Sequence, residues 1–237
     1  VLAQPVAGVF FTGSYATGAR IAQEVGPRMI KLQLELGGKD PSYVCDDADV
    51  RTAAESLADG AMYNAGQSCC AVERIYVHDK IHDAFLAAFV ATVKGCKVGD
   101  PMDESVYLGP LARAPQLAVL ERQVTDAVAK GAVIVTGGPA DGAAMSATIV
   151  DKVTPDMDIY KTEIFGPVLS VVRAKTYEEA LDLPMKHEYG NGVAIYTRDG
   201  DAARDFASRI NIGMVGINVP IPVPLAYHSF GGWKSSS

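Results

Sequence analysis

Two adjacent thiols, Cys69 and Cys70, follow an Asn-Ala-Gly-Gln segment in YNAGQSCCAVER, residues 63–74. A thiolate attacks electrophilic carbon readily, but a free cysteine has a reference pKa near 8.5. Activity at neutral pH therefore needs a base, dipole or donor beside the sulfur. Gly66 permits an unusual backbone angle and the small Ser68 leaves space around the thiol. Against this stands the tendency of free cysteines to pack in cores. One carboxylate is available as a partner. Glu35 lies in LELGGKDP, where an apolar strand ends at two glycines and the turn can face an acid into a cleft. A lone glutamate in such a place is more often an exposed strand end. Cys45 and Cys96 share none of this context and read as packing residues. No C-x-x-C pair and no histidine at zinc spacing accompanies the four cysteines, which argues against a metal site.

The elements that must hold these residues alternate between short β-branched runs and helical patterns. GVFFTG reads as a strand and ARIAQEVG as a helix. MIKLQLELGG reads as a strand with Leu32, Leu34 and Leu36 on one face. DADVRTAAESLADGAMYN reads as a helix opened by acids, which suit a helix N-terminus. RIYVH is strand-like. Ile81, Phe85 and Phe89 mark one helix, and Leu117, Leu120, Val124 and Val128 form the stripe of another that Gly131 ends. AVIVTGG, GPVLSVVRA, NGVAIYTRD and MVGINV follow as strands, with a helix in DAARDFASRI. Strands separated by crossover helices predict an α/β fold with a largely parallel, doubly wound sheet. The tail PIPVPLAYHSFGGWKSSS, with its prolines and paired glycines, reads as a rigid loop of the kind that lines sites.

The 237 residues can bury a large core, and 49% hydrophobic with 21% charged residues is a globular composition. No apolar run is long enough for a membrane span. The net charge of -7 is scattered and lacks a basic cluster, which disfavours nucleic acid as a partner. Free thiols without a basic, apolar leader predict a reducing, cytoplasmic setting.

Five segments together resemble the NAD(P)-dependent aldehyde dehydrogenases: FTGS followed by Gly18, LELGGK at 34–39, N-x-GQ-x-C ending at Cys69, EIFGPV at 163–168, and FGG-x-K at 230–234. All occur in the family's order. The resemblance implies that Cys69 is the nucleophile, Cys70 a packing thiol and Glu35 the base that activates water for hydrolysis of a thioester. It implies that Gly13 and Ser14 approach the cofactor diphosphate. Glu163 would hold the nicotinamide ribose, Phe165 would lie beside the nicotinamide ring, and the carbonyl of Leu36 would contact the carboxamide. Phe230 would wall the aldehyde tunnel. NAD or NADP is the implied cofactor, an aldehyde the substrate and a carboxylic acid the product.

By the same resemblance, residues 1–36 form the last part of a Rossmann-like cofactor domain, and 37–237 the catalytic domain. The chain then begins mid-protein, and the full-length protein is expected to be a dimer or tetramer. Two alternatives remain open. NVPIPVPLAYHSFGGWK resembles the methylmalonate-semialdehyde branch, which passes its acyl group to coenzyme A. That branch lacks the LELGG glutamate, which this chain has as Glu35. The other alternative is a truncated, non-catalytic fragment of the same fold.

Overall fold

The computed structural model describes residues 2–138, 144–229 and 231–236. The chain opens with β1 (Gly8–Thr12), α1 (Tyr15–Val25) and β2 (Lys31–Glu35). Ser14 caps α1 by accepting the Thr17 N–H, and the helix returns the chain so that β1 and β2 run parallel with Thr12 opposite Glu35. These two strands form a sheet of their own. Gly13 N–H donates to the Glu35 carbonyl at 3.0 Å, so the ends of both strands are held level.

A second, seven-stranded sheet carries most of the rest of the chain. In chain order come β3 (Pro41–Val44), α2 (Val50–Met62), β4 (Arg74–His78), α3 (His82–Val93), α4 (Pro115–Ala129), β5 (Val133–Thr136) and β6 (Thr148–Asp151). There follow α5 (Asp158–Lys161), β7 (Val168–Ala174), α6 (Tyr177–Met185), the short β8 (Tyr189–Gly190), β9 (Gly192–Tyr196), α7 (Gly200–Arg209), β10 (Met214–Ile217) and β11 (Trp233–Lys234). The order across the sheet is β10-β9-β3-β4-β7-β6-β5, and every neighbouring pair is parallel except β5 with β6. β8 and β11 pair antiparallel in a small third sheet.

Alternation along the central strands splits the core in two. Ile75 and Val77 of β4, with Leu169 and Val171 of β7, share one apolar layer with Leu57 of α2 and the stacked Phe85 and Phe89 of α3. Tyr76, Val168 and Val172 face the opposite layer with Leu120 of α4, Leu181 of α6 and Phe206 of α7. Helices on both faces make the sheet doubly wound, as the alternating pattern predicts.

Several elements were not legible in the sequence, among them two strands of the main sheet and one helix. In β3 and β6 all four residues are buried, so neither shows the apolar/polar alternation of a half-exposed strand. Helix α6 is capped by Thr176 and carries Pro184 in its last turn, which masks the helical pattern. The stripe of α4 also needs correction. Leu120 and Val124 are buried, but Val128 is 45% exposed and Ala127 takes the inward position of the last turn. Leu36 lies one residue beyond β2 and is buried there.

Candidate active site

The loop that carries Cys69 leaves α2 through a tight turn at Tyr63–Gly66, in which Asn64, Ala65 and Gly66 all have positive φ. Asparagine tolerates that conformation better than most residues. Its side chain ties the turn, donating from Nδ2 to the Gln67 carbonyl at 3.0 Å, while Gln67 Nε2 donates back to the Asn64 carbonyl at 3.1 Å. Gly66 is required twice over: φ is +68°, and a Cβ there would lie 2.2 Å from the carbonyl oxygen of Gly166. The Cys69 loop and the EIFGPV segment thus touch backbone to backbone. A second close approach joins Gly38 to the Cys69 carbonyl, which a Cβ on Gly38 would meet at 2.3 Å.

EIFGPV is held from behind by a residue that the sequence did not single out. The buried carboxylate of Glu73 accepts the N–H groups of Ile164 at 2.8 Å and Phe165 at 2.9 Å, and pairs with Lys39 Nζ at 2.8 Å. Lys39 is fully buried, and burial lowers its pKa to about 8 against the pull of Glu73. Its carbonyl accepts from Arg74 Nε and Nη2, and the Arg74 guanidinium lies 5.0 Å from the Tyr160 ring centroid. Buried ions so thoroughly paired act as fasteners. Glu73 holds the N–H of Phe165, whose φ is +50° and which is left 37% exposed.

In front of this frame lies a cavity of about 600 Å³, within the range of ligand pockets. Gly13, Ser14, Leu36, Cys69, Glu163 and Phe165 all line it, so six positions from four separated motifs converge. Gln67, Arg113, Gln116 and Val119 complete much of the wall. Arg113, Gln116 and Val119 belong to no motif read from the sequence. Gln116 announces itself only through its partner, donating to the Ile164 carbonyl at 2.6 Å. One expected residue stands elsewhere. Glu35 is half-buried at the end of β2, where Gln33 Nε2 donates to its Oε1 at 3.0 Å, and it does not line the cavity. Its charge still reaches Cys69 and opposes ionisation there. Phe230 lies outside the described residues.

The titratable groups are unevenly tuned. Cys69 is lowered to about 7, chiefly by the Cys70 thiol that lies 3.5 Å from its sulfur, with its own backbone N–H assisting against burial. Burial pushes Cys45 up to about 12 and also raises Cys96. Glu163 is pushed up to about 7 by burial and by the nearby Glu73 charge, while the Gly38 N–H, donating to Oε1 at 3.0 Å, pulls the other way. A half-buried thiol near neutrality, a shared cavity and hydrogen-bonding carboxylates can support covalent attack on a carbonyl.

The whole chain, residues 1–237, matches the family model described as the aldehyde dehydrogenase family. The chain belongs to the aldehyde dehydrogenase family. It is 41% identical over 242 residues to a malonate-semialdehyde dehydrogenase of Pseudomonas aeruginosa, covering 99% of this chain and 49% of that protein. Identity is also 41%, over 240 residues, to an NADP(+) succinate-semialdehyde dehydrogenase of Deinococcus radiodurans, covering 100% of this chain and 50% of that protein. Among solved structures, one from Sinorhizobium meliloti described as a methylmalonate-semialdehyde dehydrogenase complexed with NAD superimposes with a TM-score of 0.96 at 46% identity, over 100% of this chain and 50% of that one. The chain spans about half the length of these aldehyde dehydrogenases. No helix among the described residues is long and apolar enough to cross a membrane.

The cavity suits the dinucleotide that the family implies. Gly13 and Ser14 stand at the N-terminus of α1, which favours anionic groups; the Glu163 carboxylate is an acceptor for hydroxyls, and the Phe165 ring offers a flat apolar face. That donor set matches a diphosphate, a ribose diol and a nicotinamide ring.

Proposed function

We propose that this chain carries the catalytic part of an NAD(P)-dependent aldehyde dehydrogenase that oxidises an aldehyde to a carboxylic acid. The observation that supports this most is the convergence of Cys69, Glu163, Phe165, Gly13 and Ser14 on one cavity. Cys69, as thiolate, forms a C–S bond to the aldehyde carbon, and the carbonyl oxygen takes up the charge within reach of the Cys69 backbone N–H. When bound, NAD or NADP would supply the hydride acceptor. The carbon that has lost hydride is a thioester on Cys69. Glu35 removes a proton from water, the hydroxyl adds to the thioester, and the C–S bond breaks to release the acid and restore the thiolate. For that step the Glu35 carboxylate exchanges its Gln33 partner for water.

In this reading Gly13 and Ser14 bind the diphosphate, Glu163 the ribose hydroxyls, Phe165 the nicotinamide face and the Leu36 carbonyl the carboxamide, while Phe230 walls the substrate tunnel. Residues 1–36 complete the cofactor domain, and 37–237 form the catalytic domain. The enzyme works in the cytoplasm as a dimer or tetramer. A coenzyme A acceptor is the second reading, favoured by the engagement of Glu35 with Gln33 away from the cavity.

The test uses the intact protein with a reactive aldehyde. Cys69→Ala should abolish NADH production. Glu35→Gln should give a burst close to one NADH per site, followed by a steady rate lowered roughly 10²–10⁴-fold, the usual size of a general-base contribution. An active Cys69→Ala enzyme refutes the nucleophile. An undiminished Glu35→Gln rate without coenzyme A refutes the base, and turnover that requires coenzyme A selects the second reading.

A further inference from the structure

The sulfur of Cys69 has an unusual neighbour for an activated thiol. Its side-chain hydrogen bond is to another thiol, Cys70 Sγ at 3.5 Å. A base is not what sits closest. Glu35 from β2, Glu163 from the segment before β7 and Asp40 from the turn before β3 all bear on Cys69, and each would repel a thiolate when ionised. Asp40 is 3% exposed, and burial raises its pKa well above the ordinary carboxylate range against the pull of the Gly192 backbone. The nearby cations are already engaged, Lys39 with Glu73 and Arg74 with the Lys39 carbonyl.

Which sulfur donates is decided by Asn191. This residue, 4% exposed just before β9, uses one amide nitrogen for two contacts: Nδ2 donates to the Cys69 carbonyl at 3.0 Å and to Cys70 Sγ at 3.3 Å. The carbonyl is an acceptor only, which fixes the amide orientation, since the reverse would set oxygen against oxygen. Both amide hydrogens are thereby assigned. Cys70 Sγ accepts this N–H and keeps its own S–H, for which Cys69 Sγ at 3.5 Å is the neighbouring acceptor. Charge belongs on Cys69, which is half-exposed to the cavity, and not on Cys70, which is 5% exposed and whose pKa Cys69 itself and burial raise against the smaller pull of the Asn191 N–H.

We propose that Cys70 and Asn191 are positioning residues for the nucleophile: Asn191 orients the Cys70 thiol so that its S–H donates to Cys69 Sγ and stabilises the thiolate. Cys70 is then a fixed donor and not the packing thiol that its sequence position suggests. The proposal rests on Cys69 being the reactive thiol, and its test is independent of aldehyde turnover.

The measurement is the pH dependence of iodoacetamide alkylation of Cys69 in the intact protein, read by tandem mass spectrometry that separates Cys69 from Cys70, with each rate expressed relative to its own high-pH plateau. Wild type should inflect near pH 7. In Cys70→Ala the inflection should move toward that of a free thiol, lowering the relative rate at pH 7 by roughly 15-fold. Cys70→Ser keeps a donor at the same place and should restore most of the difference. Asn191→Ala should shift the profile in the same direction as Cys70→Ala, because the Cys70 hydrogen is then free to turn. An unchanged profile in Cys70→Ala overturns the proposal, and so does an equal shift in Cys70→Ala and Cys70→Ser. Should Cys70→Ala lose its helical circular dichroism, Asn191→Ala carries the test, and an unchanged inflection there overturns it. Loss of turnover in Cys69→Ala with unshifted Cys70 profiles would leave the nucleophile standing and remove only the donor.

Discussion

Replacing Glu73 by Leu tests whether the frame behind the cavity is a structural fastener. The change removes the acceptor of the Ile164 and Phe165 N–H groups and the partner of Lys39, the first and last fully buried and the Phe165 contact partly so. Breaking a buried ion pair from one side costs about 3–5 kcal/mol, because the remaining charge stays uncompensated. Each orphaned buried N–H adds about 1–3 kcal/mol if water cannot reach it, and the terms overlap because all share one carboxylate. The pair alone converts to a fall in Tm of roughly 6–20 °C, taking about 2–4 °C per kcal/mol for a unit of this size. Calorimetry of Glu73→Leu beside Lys39→Met/Glu73→Leu reads the partition: the double variant should regain part of the loss, since its lysine no longer needs a partner, and the rest belongs to the two N–H groups. The pH dependence has a definite sign. Lys39 has a folded-state pKa of about 8, below its ordinary 10.5, so the folded state loses that proton first and gains stability as pH rises between the two values. Without Glu73 the folded-state pKa drops further. The deficit of the single variant should therefore shrink as pH approaches 8. A Glu73→Leu protein melting within 2 °C of wild type, or a double variant no better than the single, would refute the fastener.

Two further outcomes follow from the same geometry. Glu163 is raised from 4.5 to about 7 when folded, so its contribution is fully present below 4.5 and is lost as pH rises to 7; Glu163→Gln, which cannot ionise, should gain stability relative to wild type across that window, and parallel melting curves from pH 4 to 8 would contradict it. Gly66→Ala should cost about 2–5 kcal/mol from left-handed backbone and crowding against Gly166, and a denaturant midpoint equal to wild type would show that the two backbones are not in contact.

Much of this site could be read before its geometry was known, because its parts lie at turns. Gly13–Ser14, Leu36–Gly38, Gly66–Cys69 and Glu163–Gly166 each interrupt a regular element with residues whose types are restricted, so short motifs carry the information. The sheet was legible for a related reason: β4, β7 and β9 are runs of β-branched and aromatic residues, whereas β3 and β6 are too short and too uniformly buried to show a period. Glu73, Lys39, Arg74, Asp40 and Asn191 escaped because charge and amide groups signal surface until their partners are known. Those partners lie far along the chain. The one local trace was AVERIYV, where an opposite pair of charges sits inside an apolar run.

The contact between Asn191 and the Cys69 carbonyl spans 122 residues, and that between Gly38 and Glu163 spans 125. Such separations have a consequence during synthesis. At about 5–20 residues per second, Cys69 and Cys70 are made roughly 6–24 s before Asn191. Throughout that interval the β2–β4 segment exists without β9, the strand that pairs with β3 in the finished sheet, and Cys69 and Cys70 lack the Asn191 amide that later touches both.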